Sequence, residues 1–267
     1  MIANIRQFDG FADIYDKFRP SMPSVIVDIL TQLAHTSFPH LVVDLGCGTG
    51  LSTRTWAKRA ENIIGVEPND NMRSKAEIMS KEQPAISYQK GTATNTKLPG
   101  ESADIATICQ TIGWVQPNAT FTEASRILRS QGIFAAVDYD VPPIITLEID
   151  ALEREFLENT KGLMLKHLPN YHTKHWDKKK YLSLMVSSGK FAHTKELAVH
   201  SKEEGNVERI IGFILTQSSV QTLLKNRISE KDIGLSSLRA KLHRILGRTS
   251  LPMYFTYRIR VGQKSLS

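Results

Sequence analysis

Short apolar runs recur along the first half of the chain, each closed by a glycine, a proline or a polar cluster. LVVDLG (41–46) is such a run, and its composition predicts a strand buried on both faces of a parallel sheet. LSTRTWAKRAE (51–61) follows with helix-compatible composition, and NIIGVEP (62–68) is a second strand stopped by Pro68. NDNMRSKAEIMSKEQ (69–83) predicts a helix, with Asn69 or Asp70 as its N-cap and Pro84 beyond its end. ISYQKGT (86–92) and ADIATICQT (103–111) predict two further strands. NATFTEASRILRSQG (118–132) places Phe121, Ala124, Ile127 and Leu128 on one helical face, with Gly132 expected as the C-cap, and IFAAVDYD (133–140) is the next strand. Strands alternating with helices in this way predict an α/β fold, a parallel sheet covered on both faces. Ligands of such sheets bind at the carboxyl ends of the strands, where strand order reverses.

After Pro143 the pattern changes. Residues 144–189 predict mainly helix, interrupted by the aromatic and basic stretch LPNYHTKHWDKKKYL. KFAHTKELAVH (190–200) predicts a strand, and 203–247 predict helices: EEGNVERIIGFILTQ, SVQTLLKNR and LSSLRAKLHRILG. MYFTYRIRVG (253–262) alternates and predicts a last strand. No internal repeat or low-complexity tract interrupts this order. One sheet domain over 1–267 is expected: 1–35 a lid and first helix, 36–140 the ligand-binding core, 141–189 and 201–250 helical insertions, 251–267 the last strand.

Composition changes this picture little. At 41% apolar and 23% charged, the chain is ordinary for a globular protein. No apolar run is long enough for a membrane helix, and charges within MIANIRQFDGFADIYDKF argue against a secretory signal. Cys47 and Cys109 sit in core-like motifs and suggest no disulfide framework, so a cytoplasmic location is expected. The net charge of +7 is spread along the chain, with Lys178–Lys180 its one tight run. We read that as a solvated surface rather than a nucleic-acid footprint.

The chemistry concentrates in VVDLGCGTGLS (42–52), where Gly46, Gly48 and Gly50 alternate two residues after Asp44. Gly46 ends a strand where the chain must turn into a helix, and Gly48, lacking Cβ, lets a ligand lie against the backbone. The dinucleotide fingerprint GxGxxG is not met, because Leu51 occupies the place of its third glycine. Asp44 also disfavours a pyrophosphate. S-adenosylmethionine, with an ammonium, a carboxylate and a sulfonium but no phosphate, fits better. Asp44 would attract its ammonium or sulfonium, directly or through water. Glu67 stands at the end of the second strand, 21 residues after Gly46, placed to accept from both ribose hydroxyls.

These stretches, with GVEPNDNM, GTATNTKLP, ADIATICQTIGWV and EASRILRSQGIFAAVDYD, resemble the class I S-adenosylmethionine-dependent methyltransferases. The resemblance is nearest to the type 11 small-molecule group, which includes trans-aconitate methyltransferase, and it covers about residues 8–140. It implies a Rossmann-like, seven-stranded, mostly parallel sheet with helices on both faces and an antiparallel C-terminal strand. It implies S-adenosylmethionine as cofactor, with Gly46, Gly48 and Gly50 along the methionine part and Glu67 on the ribose. Met72, with Pro68 and Asn69 nearby, would lie beneath the adenine. Ala93 and Thr94 would flank it, where the family often has an acid or amide. Gln110 and Thr111 would face the sulfonium and methyl. FADIYDKFRP (11–20) resembles the helix that closes over the cofactor, its Tyr15 and Arg19 meeting the methionine carboxylate and the substrate; Phe8, Phe11 and Phe18 would equally serve as core. Gly113–Trp114 replaces a frequent His–Trp, so a histidine at that place is lacking, and Trp114 is expected on the substrate side.

Methyl transfer from a sulfonium is an in-line displacement, whose catalyst must align the reacting atoms and exclude water. A general base is needed only when the nucleophile carries a proton. Candidates are Asp138 and Tyr139 after the fifth strand, and His172 and His175. The two histidines lie three apart, but no other ligand pattern accompanies them, so no metal is expected. Tyr171 and Trp176 would anchor a loop or form a substrate lid. The expected activity is methyl transfer to a small, anionic molecule, O-methylation favoured. An RNA or protein methyltransferase is a second reading, although no [DN]PP[FY] sequence follows the fourth strand. A non-catalytic cofactor-binding or regulatory protein is a third. Oligomeric state is not legible.

Overall fold

The computed structural model describes Ile5, residues 8–171 and residues 175–265. Its centre is a seven-stranded sheet: β1 (Leu41–Leu45), β2 (Asn62–Val66), β3 (Ile86–Gln89), β4 (Ala103–Cys109), β5 (Leu128–Tyr139), β6 (Phe191–Gly205) and β7 (Leu251–Lys264). The strands lie in the order β3-β2-β1-β4-β5-β7-β6. Neighbours from β3 through β5 pair in parallel, and β7 runs antiparallel between β5 and β6. Chain order reverses between β1 and β4, so the crevice above their carboxyl ends is where such a sheet admits a ligand.

Strand alternation divides the core into two layers. Val42, Ile105, Ala135, Val137 and Tyr139 face one side and pack with α2 (Ser24–Leu33), Trp56 and the alternating row Met253, Phe255, Tyr257, Ile259 of β7. Val43, Leu45, Ala106, Ile108, Phe134 and Ala136 face the other, against Phe121, Ala124 and Ile127 of α5 (Pro117–Ile127) and Tyr181 and Met185 of α7 (Tyr181–Ser187). A period of two along each strand puts adjacent residues on opposite faces, and here both faces are covered. A third apolar cluster joins α6 (Leu147–His167), α8 (Val207–Leu215), α9 (Ser218–Lys225) and α10 (Leu235–Leu246). These helices come from the two late connections and stand beside the carboxyl ends of the strands, where Ile144 bridges to Tyr254 of β7.

Several boundaries differ from the sequence reading. The helix after the glycines, α3, covers only Leu51–Thr55. Gly132 does not cap α5: the helix ends at Ile127, Leu128 already pairs with Ala103, and Gln131 takes the positive φ of 63°. β6 runs on to Gly205, where pairing with Leu251 continues, so the expected helix at 203 starts at Val207. Two-stranded pairing with β7 overrides the local helix-compatible composition there. Among the described residues no helix is long and apolar enough to cross a membrane.

Candidate active site

A cavity of about 630 Å³ opens above the carboxyl ends of β1, β2, β4 and β5. The turn after β1 makes its floor. Gly46, Gly48 and Gly50 all have positive φ, at 65°, 57° and 81°. Their reasons differ. A Cβ at Gly46 would run into the Thr111 side chain, whose hydroxyl donates to the Gly46 carbonyl at 2.8 Å. A Cβ at Gly50 would run into the Tyr88 hydroxyl. A Cβ at Gly48 would meet nothing within 4 Å, because Gly48 borders the cavity itself. Gly46 also lies on the wall; Gly50 does not, and serves as the left-handed N-cap of α3.

Glu67 follows β2 and closes the same turn. Its Oε2 accepts from Gly48 N at 2.9 Å and its Oε1 from Asn69 N at 2.8 Å. It is 7% exposed, on the wall, and burial pushes its carboxyl up to about 7. Asn69 caps α4 (Asp70–Met79), accepting from Met72 N at 3.0 Å, and its amide donates to Ile5 O and Asp9 Oδ1. That amide ties the N-terminal segment to the cavity. Pro68, Met72, Ala93 and Thr94 complete this side of the wall, together with Cys47.

Asp44 takes a different place from the one expected. It is fully buried behind the wall, and accepts from Ser52 Oγ at 2.6 Å, Thr53 Oγ1 at 2.7 Å and Thr107 Oγ1 at 3.0 Å. Burial raises its pKa, and the three hydroxyls hold it part of the way back. It braces the start of α3 against β1 and β4 and does not reach a ligand. The acid and the glycines are close in sequence, but Asp44 still lies within β1, where the hydroxyls of Ser52, Thr53 and Thr107 cover it, whereas the glycines belong to the turn beyond the strand.

β4 ends in Gln110, which holds a positive φ of 55°. A bulky residue there is a conformational outlier, of the kind that clusters at functional sites. Gln110 lies on the wall, and its buried Nε2 has no hydrogen-bond partner among the described residues. Buried donors are normally satisfied, so this amide, beside a strained backbone, is an exception among the described residues. Thr111 lies beside it.

Another part of the wall is built by segments far apart in the chain. Arg19 follows α1 (Ala12–Phe18); its Nη1 donates to the Tyr139 hydroxyl at 2.5 Å and its Nη2 to Thr216 O at 2.9 Å. Tyr15, Tyr139 and Phe213 surround the guanidinium at 5.1–5.9 Å from their centroids. Burial holds the Tyr139 phenol up at about 12, which favours its protonated form near neutral pH and tells against the general-base role considered above. Asp138 is also corrected. It points to the sheet face away from Tyr139, 3% exposed and off the wall, in a short ion pair with Arg260, with Lys178 Nζ 3.7 Å from its other oxygen. Lys178 itself is on the wall, and burial, reinforced by Arg19 and Arg260, lowers its pKa against the pull of Asp138.

Gly113 and Trp114 form a 3₁₀ turn after β4. The His175 ring fills the space a Gly113 side chain would need, with Nε2 2.5 Å from that Cβ position, and Trp176 N donates to Gly113 O at 2.7 Å. His175 meets Trp114 edge-on at 4.8 Å, and Phe8 meets Trp114 likewise at 5.9 Å. Trp114, His175 and Trp176 all line the cavity. Burial lowers the His175 pKa, so its imidazole is neutral near pH 7. Tyr171 lies off the wall, within 3.4 Å of Thr222 Oγ1, and His172 lies outside the described residues. Gln217, Ser218 and Ser219 are wall residues for which the sequence carried no motif. Among the described residues no group of three or more His, Cys, Asp or Glu could hold a metal ion.

The arrangement fits S-adenosylmethionine on its own geometry. An open backbone at Gly48, a buried carboxylate at Glu67 and an orphaned amide at Gln110 match a ligand with hydroxyl donors and a carboxylate or amine. Residues 43–136 match the family model described as a methyltransferase domain. The chain is 30% identical over 135 residues to the Saccharomyces cerevisiae protein named "Probable S-adenosylmethionine-dependent methyltransferase CRG1", covering 49% of this chain and 46% of that one. A solved structure from Anaeromyxobacter dehalogenans, whose description as a type II methyltransferase is itself provisional, aligns with a TM-score of 0.71 at 23% identity, over 94% of this chain and 100% of that one. A Haemonchus contortus phosphoethanolamine N-methyltransferase, solved with phosphomonomethylethanolamine and S-adenosylhomocysteine, shares the fold at a TM-score of 0.55 and 16% identity, over 96% of this chain and 56% of that one. The chain spans about half the length of the curated relatives it matches.

Proposed function

We propose that this chain, whose residues 43–136 are a methyltransferase domain of the class I, S-adenosylmethionine-dependent type, transfers a methyl group to a small anionic acceptor, with oxygen the atom methylated. The observation that carries the reading is one cavity that brings two unlike sets of groups together. One set is the Gly48 backbone and the Glu67 carboxylate; the other is Arg19, Lys178 and the Tyr139 hydroxyl among aromatic walls. The resemblance to the type 11 group, which includes trans-aconitate methyltransferase, supports an acid as acceptor.

When bound, S-adenosylmethionine supplies a methyl group already activated by a positive sulfur. The chain's own residues then have three tasks. Glu67, fixed by two backbone N–H groups, keeps lone pairs for the ribose hydroxyls. Met72 and Ala93 give an apolar bed for the base, with Thr94 beside them. Phe8, Trp114, His175 and Trp176 wall the reacting region against water, which strengthens every electrostatic contact inside. A carboxylate acceptor needs no proton removed. A hydroxyl acceptor would need a neutral base, and His175 is the group on the wall in that state.

Two measurements test this. Calorimetry should show S-adenosylmethionine and S-adenosylhomocysteine binding and no heat with NAD. A panel of small acids and their neutral analogues should then be incubated with methyl-labelled cofactor. Transfer to acids is expected; tight NAD binding without cofactor heat, or a preference for neutral or cationic acceptors, overturns the reading.

A further inference from the structure

The acceptor end of the cavity carries a set of donors whose chemistry points one way. Helix α9 starts at Ser218, and Gln217, Ser218 and Ser219 all lie on the wall. The first N–H groups of a helix have no partner within it and carry the positive end of its dipole. Here no side chain caps them. Ser218 adds a hydroxyl, while the Ser219 hydroxyl is shared with Thr160 Oγ1 at 3.2 Å.

A second, independent feature meets this helix start. Arg19 Nη2 donates to Thr216 O, two residues before α9 begins, and Nη1 donates to the Tyr139 hydroxyl. Its Nε is buried and has no hydrogen-bond partner among the described residues. Because the Tyr139 oxygen accepts from Arg19, its own proton remains to be donated into the cavity. Lys178 adds a cation to the same wall, and the carboxylate nearest it, Asp138, is held by Arg260.

We propose that the α9 N-terminus, Arg19 and Tyr139 form an oxyanion subsite that holds a carboxylate or phosphate of the acceptor. The proposal rests on the methyl-transfer reading for the word acceptor, and on the wall geometry for the word oxyanion. Donors from three segments line one cavity and are tied together through Arg19, which bonds both Tyr139 and Thr216; an acceptor-rich group suits them, since an amide has one oxygen and an ammonium has none. The apolar body of the acceptor would lie against Trp114, Trp176 and Val141. An oxyanion gripped by a guanidinium and a helix start is a weakened nucleophile. The held group is therefore a handle, and the atom methylated belongs to a second group of the same molecule.

The test uses benzoate, phenyl phosphate and neutral benzamide as probes, titrated into the full chain at fixed ionic strength, with and without saturating S-adenosylhomocysteine. Ser218→Asp places a carboxylate among the donors, and an acid in the first helical turn favours the helix, so the fold is retained. Both acids should bind the wild type at least about tenfold more tightly than benzamide, and lose about tenfold or more in Ser218→Asp, since like charges meet at low dielectric. S-adenosylhomocysteine affinity should stay within about twofold of wild type, because the substitution leaves the β1 turn and Glu67 untouched. Arg19→Gln should weaken the acids in the same direction. A larger loss for phenyl phosphate identifies a phosphate-type handle; equal losses identify a carboxylate. The subsite is overturned if neither acid binds, if benzamide binds as well as benzoate, or if Ser218→Asp binds the acids normally. It is also overturned if Ser218→Asp weakens S-adenosylhomocysteine instead, since α9 would then serve the cofactor's own carboxylate. Acid binding that responds to Ser218→Asp in a protein that fails to bind S-adenosylhomocysteine would support the subsite and refute methyl transfer.

Discussion

The three glycines after β1 look equivalent in sequence, and the structure separates them: a Cβ at Gly48 would stand in open space at the cavity wall, while one at Gly46 or Gly50 would meet protein. Gly48→Val tests the first. Its φ of 57° lies in the left-handed region, where a side chain costs roughly 1–2 kcal/mol. Of the added carbons, the Cβ meets nothing within 4 Å, so overlap at that atom adds nothing to the strain. Thermal unfolding should therefore fall by only a few degrees for a chain of this size. The same carbons stand in the space a ligand must use to reach the backbone, so S-adenosylhomocysteine affinity should fall about a hundredfold or more, on the order of 3 kcal/mol. Gly50→Ala is the control. Its Cβ overlaps the Tyr88 hydroxyl, which is fixed by Ser80 Oγ at 2.7 Å, and its φ is 81°. Overpacking and strain together should cost about 3 kcal/mol or more of stability, with the affinity of the surviving folded protein nearly unchanged. Calorimetry with S-adenosylhomocysteine and thermal unfolding of both variants decide the matter. Wild-type affinity in Gly48→Val would refute the placement of the ligand. Loss of binding in a Gly50→Ala protein of normal stability would refute the division of roles.

Three further outcomes are expected. Glu67 has a folded pKa raised from 4.5 to about 7 by burial, so the free protein binds its proton more tightly than the unfolded chain does. Stability from this group is therefore present below pH 4.5 and lost as pH rises through 7, a loss on the order of 3 kcal/mol. Ribose hydroxyls favour the ionised form, so S-adenosylhomocysteine should bind with proton release and weaken below pH 7; flat affinity from pH 6 to 8, in buffers of differing ionisation heat, would count against it. Arg260→Met should destabilise by about 3–5 kcal/mol, because Asp138 keeps a buried charge with only Lys178 near it, and Asp138→Leu in the same chain should recover much of that; denaturant titration showing no recovery refutes the pairing. Gly113→Ala should expel the His175 ring and speed hydrogen exchange at Trp176 and its neighbours, at a stability cost of about 1 kcal/mol for the lost edge contact with Trp114; unchanged protection there would mean the ring is not seated in that notch.

The arrangement of the β1 turn and Glu67 was legible because its geometry is local. A buried strand, a glycine turn and a second strand fix one another within about two dozen residues, so Glu67 could be placed from its spacing to Gly46 alone, and the Gly48 N–H to Glu67 bond realises that spacing. Asp44 shows where spacing fails. Its sequence distance from the glycines is small, but it lies inside β1 rather than in the turn, and the hydroxyls that cover it come from α3 and β4. Gly132 fails for a related reason: pairing of Leu128 with Ala103 ends the helix before the glycine is reached. Only the partner strand carries that information.

The acceptor end was not legible in the same way, because its contacts join residues with no local relation. Arg19 reaches Tyr139 across 120 positions and Thr216 across 197. Asp138 and Tyr139 are neighbours at the end of β5, and the sequence offered both as bases. The alternation that buries Asp138 against Arg260 on β7 is the same one that turns Tyr139 toward Arg19 and the cavity, so at most one of them could have met a ligand. Ser218 carries no motif at all. What places it on the cavity wall is that the connection between β6 and β7 folds α8 and α9 beside the strand ends, so that the start of α9 shares one cavity with residues that follow β4 and β5. A substrate wall built by late connections can change with those connections while the turn after β1 stays the same. The cofactor can then be read from a short stretch of this chain, and the acceptor has to be read from the side chains that the whole fold brings together.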